Sequence, residues 1–260
     1  MNNHSSSSVG RVDSADIAVP EHKIEVRFYS RILCTGEAPL WKEDLMNNLG
    51  TPIIGLGERT AEYDHLPLQW MPHIQVSDVA SSAKSALKLG GSELMHGKDD
   101  DGNSQWAVLV DPYGAAFGII PIVPAQAASS KGDAESPVGH ISWIDLTVPN
   151  AQEARDFYSS VIGWSWEVCK KEDSNGFYDD YHMLDGDGKP AAGICHARGL
   201  HQDLPSVWTL HLPVGDLAES SRRAREEGGK VLKDAHGDDG KLAHVVVQDP
   251  VGAIMAILPG

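Results

Sequence analysis

Two residues suited to moving a proton sit in short apolar stretches far apart in the chain: Asp145 in "WIDLTVPN" and His211 in "WTLHLPV". Side chains alternate along a strand, so Asp145 shares a face with Trp143, and His211 shares one with Thr209. A carboxylate can orient and polarise an imidazole. The imidazole then serves as general base near neutral pH and takes a proton from beside a carbonyl without a metal. The plainer role for His211 is packing and hydrogen bonding, because His73 holds the same place in the other half of the chain. Asp145 would then anchor a backbone N–H or an arginine.

Other candidates carry less chemistry. His182 and His244 can reach the same region, depending on strand phase. Cys195 and His196 are adjacent, so on a strand they point to opposite faces and form no direct nucleophile–base pair. The stretch "KDDDGNSQW" places Asp99, Asp101 and Asn103 at alternate positions, as in a calcium loop. It lacks the sixth-position glycine and twelfth-position glutamate, and a solvated hairpin turn is expected. The three cysteines, Cys34, Cys169 and Cys195, are too few and scattered for a disulfide framework or a zinc knuckle. No phosphate-cradling glycine motif and no nucleophile elbow occurs.

The elements that must position these residues come from a repeat. "DPYGAAFGIIP" (111–121) and "DPVGAIMAILP" (249–259) superimpose at one offset. The same offset sets His73 on His211, Asp78 on Asp216 and Gly90-Gly91 on Gly228-Gly229. Within each half, "HIQVSDVASSAKSALKLGG" and "LHLPVGDLAESSRRAREEGG" read as strand, capped helix and glycine stop. "ISWIDLTVPNAQEARDFYSSVIG" is a third such opening, with Asn150 as cap and Ala154, Phe157, Tyr158, Val161 and Ile162 on one helical face. Three short strands follow each helix, giving repeated βαβββ units. At the same offset residues 3–23 should open a fourth unit, but the Ser-rich start shows neither pattern. The first unit is therefore expected to lack its opening strand and helix. The expected layout is a disordered tail over 1–22, an incomplete module over 23–123, a linker over 124–139 and a second module over 140–260.

"WIDLTVPNAQEARDFYSSVIGW" resembles the opening strand and helix of the vicinal oxygen chelate superfamily, and "VVVQDPVGAIMAILP" resembles its closing hairpin. That superfamily includes glyoxalases, bleomycin-resistance proteins and extradiol dioxygenases. The resemblance is strongest to its tandem, two-module, glyoxalase-like members and runs from about residue 24 to residue 260. It implies an α+β fold in which paired βαβββ units form open curved sheets around a cleft. The family's metal-ligand positions fall on Met71, Trp143 and Thr209 in first strands and on Gly118 and Ala256 in closing strands. None of these is a good divalent-metal ligand, so neither a metal nor another cofactor is expected. With Trp143 and Thr209 facing the cleft, the resemblance implies that Asp145 and His211 face it too, on neighbouring inner strands. Trp143 is placed to stack on a flat or sugar-like ligand, with Thr209, His244 and Ala256 lining the same space. Trp164, after Gly163, is expected in the core.

A formal charge of −16 argues against nucleic acid or anionic membrane as partner. No apolar run is long enough to span a membrane. The N-terminus has no secretory pattern, and the sparse cysteines fit a cytoplasmic setting. The expected partner is a small organic molecule, with the chain a monomer or homodimer. The leading reading is a ligand-sequestering protein of bleomycin-resistance type. The alternatives are a metal-independent lyase or isomerase using His211 and Asp145, and a metal-dependent lyase or dioxygenase with displaced ligands such as Asp145, His211 and His244.

Overall fold

The computed structural model describes residues 9–33, 41–42, 45–48, 51–123 and 138–260. Four βαβββ units follow one another. The first comprises β1 (Val12–Val19), α1 (His22–Leu33), β2 (Trp41–Lys42), β3 (Leu45–Asn48) and β4 (Thr51–Glu58). The second is β5 (Met71–Val76), α2 (Val79–Lys88), β6 (Ser92–Lys98), β7 (Ser104–Val110) and β8 (Ala116–Pro121). The third is β9 (Trp143–Val148), α3 (Ala151–Ile162), β10 (Ser165–Asp173), β11 (Gly176–Leu184) and β12 (Pro190–His196). The fourth is β13 (Trp208–Val214), α4 (Leu217–Glu226), β14 (Lys230–His236), β15 (Leu242–Gln248) and β16 (Ile254–Pro259). Two eight-stranded sheets result, ordered β2-β3-β4-β1-β5-β8-β7-β6 and β10-β11-β12-β9-β13-β16-β15-β14. The fold is α+β, as expected. Among the described residues no helix is long and apolar enough to cross a membrane.

The expected truncation of the first unit does not hold. β1 lies inside the stretch assigned to a tail, and "HKIEVRFYSRIL" forms the helix expected to be missing. Its Glu25, Phe28, Tyr29, Ile32 and Leu33 are buried at helical spacing. The reason is a change of offset. Asp16 of β1 pairs with Gly55 of β4 as Asp145 of β9 pairs with Gly193 of β12, so Asp16 is the counterpart of Asp145. The offset that aligns the other units would instead match Asp145 with Ser7. The first unit is shorter between helix and closing strand, because β2 and β3 have 2 and 4 residues where β10 and β11 have 9 each. A search at constant offset therefore looks for the opening strand in the wrong place. Residues 1–8, Cys34 and most of the expected linker (124–137) lie outside the described residues.

The helix boundaries follow from local chemistry. The carboxylate of Asp78 accepts from Ser81 N at 2.6 Å, Asn150 Oδ1 accepts from Glu153 N, and Asp216 accepts from Glu219 N at 2.9 Å. The double glycines split two tasks. Gly90 and Gly228 take φ of +91° and +93°. At Gly91 and Gly229 a Cβ would come within 2.8 Å of Val110 O and 2.6 Å of Gln248 O.

The chain divides into two compact units that cut across the expected modules. One comprises Met1–Val12, Met71–Ser129 and Ile144–Trp208; the other comprises Asp13–Trp70, Ser130–Trp143 and Thr209–Gly260. Each contains the same three-residue device, which explains the repeated Asp-Pro-x-Gly turn. In the first unit Asp111 Oδ1 accepts from Tyr113 N and Ala115 N, closing the turn, while Oδ2 accepts from Tyr158 Oη at 3.1 Å. Trp208 Nε1 donates to that Tyr158 hydroxyl at 3.0 Å. In the second unit Asp249, Tyr29 and Trp70 repeat it at 2.8 and 3.0 Å. The tyrosines and tryptophans of both devices are fully buried, so every polar atom they carry needs such a partner. Trp164 is in the core as expected, its Nε1 donating to Gly10 O at 2.9 Å. The Asp99 loop is a hairpin turn closed on its own carboxylate, which accepts from Asp101 N and Asn103 N.

Candidate functional site

Strand register sorts the β9–β12 side chains onto two faces. Asp145 lies beside Gly193 and Thr147 beside Cys195 across β9 and β12; His182 lies beside Gly193 across β11 and β12. Across β10 and β11, Cys169 lies beside Asp180 and Lys171 beside Tyr178. One face is apolar and buried: Ile144, Leu146, Val148, Met183, Ala192 and Ile194. Helix α3 packs on β11 and β12. From it the buried Arg155 guanidinium stacks 4.2 Å from Trp166 and 4.5 Å from Tyr181. The opposite face is polar, and its inner part is buried too: Thr147, Asp180 and Cys195 are 4%, 2% and 8% exposed. Buried polar strand residues are costly unless they serve one another or a ligand.

The hydrogen bonding on this face is one-sided. Asp180 Oδ1 accepts from His196 N at 2.8 Å and lies 3.2 Å from His196 Nδ1, whereas Oδ2 is buried with no hydrogen-bond partner. Thr147 Oγ1 lies 3.5 Å from Nδ1 of His201, in the short 3-10 helix Gly199–His201. A ligand atom from each of Asp180, Cys195 and His201 lies within 4.8 Å of the others. Burial pushes the Cys195 thiol well above its usual range, and the nearby Asp145 and Asp180 carboxylates push it further. Burial pulls the Lys171 ammonium down, but Cys169, Asp180 and Cys195 more than offset this and raise it. At the rim Arg198 donates to both Asp173 oxygens at 3.0 and 2.8 Å and sits 4.3 Å over the Tyr178 ring. That pairing, with Asn175 N–H second, holds the Asp173 carboxyl below its usual range.

Of the residues singled out from sequence, Asp145 is half-buried on this face. Trp143, Thr209, His211, His244 and Ala256 belong to the other compact unit. There Thr209, His211 and Ala256 are buried, and Trp143 and His244 half-buried. His211 pairs in register with Ala256, its ring lies 5.1 Å from that of His244, and its backbone carbonyl accepts from Ser142 N and Oγ. His211, His244 and Ala256 are thus brought together. The superfamily's usual metal positions hold an indole at Trp143, a hydroxyl at Thr209 and a methyl at Ala256, a donor set that does not fit a divalent metal. Asp180, His201, Lys171 and Tyr178 are not evident from sequence. Their signal is the alternation of Tyr178, Asp180 and His182 along β11, which is readable only once the strand's phase is known.

A glyoxalase-like domain family model matches residues 143–258. The chain is 26% identical over 196 residues to CFP32 of Mycobacterium tuberculosis, described as a glyoxylase, covering 74% of this chain and 70% of that protein. It is 27% identical over 195 residues to the anthracycline biosynthesis protein DnrV of Streptomyces peucetius, covering 74% of this chain and 66% of that protein. Solved structures share the fold at low identity. A variant of homoprotocatechuate 2,3-dioxygenase from B. fuscum aligns with a TM-score of 0.59 at 11% identity, over 98% of this chain and 72% of that one. The 2,3-dioxygenase LapB from Pseudomonas sp. KL28 aligns with a TM-score of 0.56 at 12% identity, over 98% and 94%. Four βαβββ units, the glyoxalase-like match over residues 143–258 and these relatives together support the vicinal oxygen chelate superfamily as the family of this chain.

Proposed function

We propose that the chain binds a small organic molecule against the polar face of β9–β12, as a glyoxalase-like protein that does not use the superfamily's usual metal positions. The observation that carries this is the buried polar strip of Thr147, Asp180 and Cys195, bordered by Asp145, Lys171 and Tyr178. Such a strip offers carboxylate acceptors, an ammonium donor and a phenol ring, which suits a flat, oxygen-bearing ligand. The relative named for anthracycline biosynthesis supports a polycyclic aromatic over a peptide. The test is calorimetric titration with a panel of polycyclic phenols and quinones, repeated on Lys171→Met and Asp145→Asn. Binding tighter than millimolar that weakens in both variants supports the reading. If nothing in the panel binds, or neither variant changes affinity, it is wrong.

The catalytic alternative, a metal-independent lyase or isomerase, is favoured by one observation: His211 is buried beside a second imidazole. In that place the His211 imidazole would act as base on a carbonyl compound. Turnover that follows a histidine-like pH profile and disappears in His211→Ala would support this alternative.

A further inference from the structure

We propose that Asp180, Cys195 and His201 form a site for one thiophilic divalent cation, zinc being the best match. The three come from β11, β12 and the 3-10 helix that follows β12, and one ligand atom of each lies within 4.8 Å of the others. Bonds of about 2.0–2.3 Å place tetrahedral zinc ligands roughly 3.5 Å apart, so the cluster needs to contract by roughly 1.3 Å at most. A thiolate, an imidazole and a carboxylate form the mixed set that zinc accepts, leaving a fourth position for water or a ligand atom.

A second observation, independent of the clustering, points to a cation. Asp180 is 2% exposed, and its Oδ2 has no hydrogen-bond partner, while Oδ1 is occupied by His196 N. One oxygen is thus held by the protein and the other is left over, as expected for a metal ligand fixed by its outer shell. Thr147 Oγ1, 3.5 Å from His201 Nδ1, would orient the imidazole in the same way. A thiolate at Cys195 would lie beside the buried Asp180 carboxylate, and a bound cation would offset both charges. Lys171 is the protein's own cation there and the competing explanation. Cys195 would enter the site as thiolate, its proton passing to solvent as the sulfur–metal bond forms. The site stands whether or not an organic molecule binds this face, because the metal alone is the probe.

The experiment is titration of chelator-treated full-length protein with Co(II), followed by Zn(II) displacement. Expected are a saturating sulfur-to-cobalt charge-transfer band at one equivalent, intense visible bands of a tetrahedral site, and release of about one proton per metal. Cys195→Ser should abolish the charge-transfer band, whereas Cys169→Ser and Cys34→Ser should keep it. Asp180→Asn and His201→Gln should each weaken binding by at least the roughly tenfold to hundredfold expected for outer-shell losses. Should Asp180→Asn fail to fold, His201→Gln decides. Lys171→Met should bind cobalt at least as tightly as the parent, since it removes a like charge. No band in the parent at stoichiometric cobalt, or a band that survives Cys195→Ser, overturns the proposal.

Discussion

Glu25 permits a sharp test of how the buried charge in the second compact unit is managed. It lies on α1 at the place Ala154 holds on α3, and it is fully buried. Burial first, and the neighbouring Asp249 carboxylate second, push Glu25 up to about 9. The unfolded chain releases this proton near pH 4.5, while the folded chain keeps it until about 9. The stability contributed by the protonated acid is therefore complete below about pH 4.5 and is lost as pH rises towards 9. Within that window the loss is about 1.4 kcal/mol per pH unit, the free energy of one proton bound by the folded chain alone. Glu25→Gln keeps the size of the side chain and removes the titration. Urea unfolding of both proteins between about pH 6 and 9 should show the variant gaining on the parent at each step upward. Asp249, also raised by burial, interacts with Glu25, so the difference between the two proteins reports the proton held by the Glu25–Asp249 pair. If the two stability curves run parallel across that range, Glu25 is not holding a proton and the reasoning fails.

Tyr158→Phe removes the hydroxyl that Trp208 Nε1 donates to and that donates to Asp111, all three side chains being buried. It should cost about 2–4 kcal/mol in chemical denaturation, and a loss below about 1 kcal/mol would contradict that account. Deleting residues 1–20 removes β1, which pairs with β4 from Ala15 to Val19; the truncated chain should melt well below the parent, and unchanged melting would show that β1 is dispensable. If the protein turns over a substrate through His211, His211→Ala should cut the rate roughly a hundredfold or more, while Trp143→Ala should act on affinity by on the order of 1 kcal/mol. Full activity in His211→Ala refutes the catalytic role.

The parts of the fold that sequence makes legible are those in which local chemistry repeats without a change of spacing. The Asp78, Asn150 and Asp216 caps and the Asp-Pro-x-Gly turns are readable because each depends on residues close together in the chain. β1 and α1 are not, for two reasons. The short β2–β3 hairpin shifts the equivalence, so that Asp16 rather than Ser7 answers to Asp145. In addition, "KIEVRFYSRIL" alternates well enough to mimic a strand until its helical burial is seen. The Asp180 cluster is hidden differently. Which of Asp179 and Asp180 turns inward is a matter of register across three strands, and no local pattern carries it. His201 ends a 3-10 helix whose placement depends on the Arg198–Asp173 pair and on Gly199, where a Cβ would meet Tyr178 Oη at 2.9 Å.

The short residues of the closing strands and the titratable residues of the opening strands face each other in register. In every unit the opening strand pairs in parallel with the closing strand: Asp16 with Gly55, His73 with Gly118, Asp145 with Gly193 and His211 with Ala256. A titratable side chain therefore always lies beside a residue with little or no side chain. At Gly118 the reason is measurable, since a Cβ there would sit 3.0 Å from His73 Cδ2, tighter than carbon contacts accept. The imidazole leans across the position where the superfamily's closing strands carry a glutamate, and the two cannot coexist without movement. At the matching place Ala256 carries a Cβ beside His211, so there the pairing tolerates one methyl. The short side chains of the closing strands thus stand beside titratable opening-strand residues in all four units, Asp16 and Asp145 as well as His73 and His211. The closing hairpins are kept, while the usual ligand positions carry an indole at Trp143, a hydroxyl at Thr209 and a methyl at Ala256.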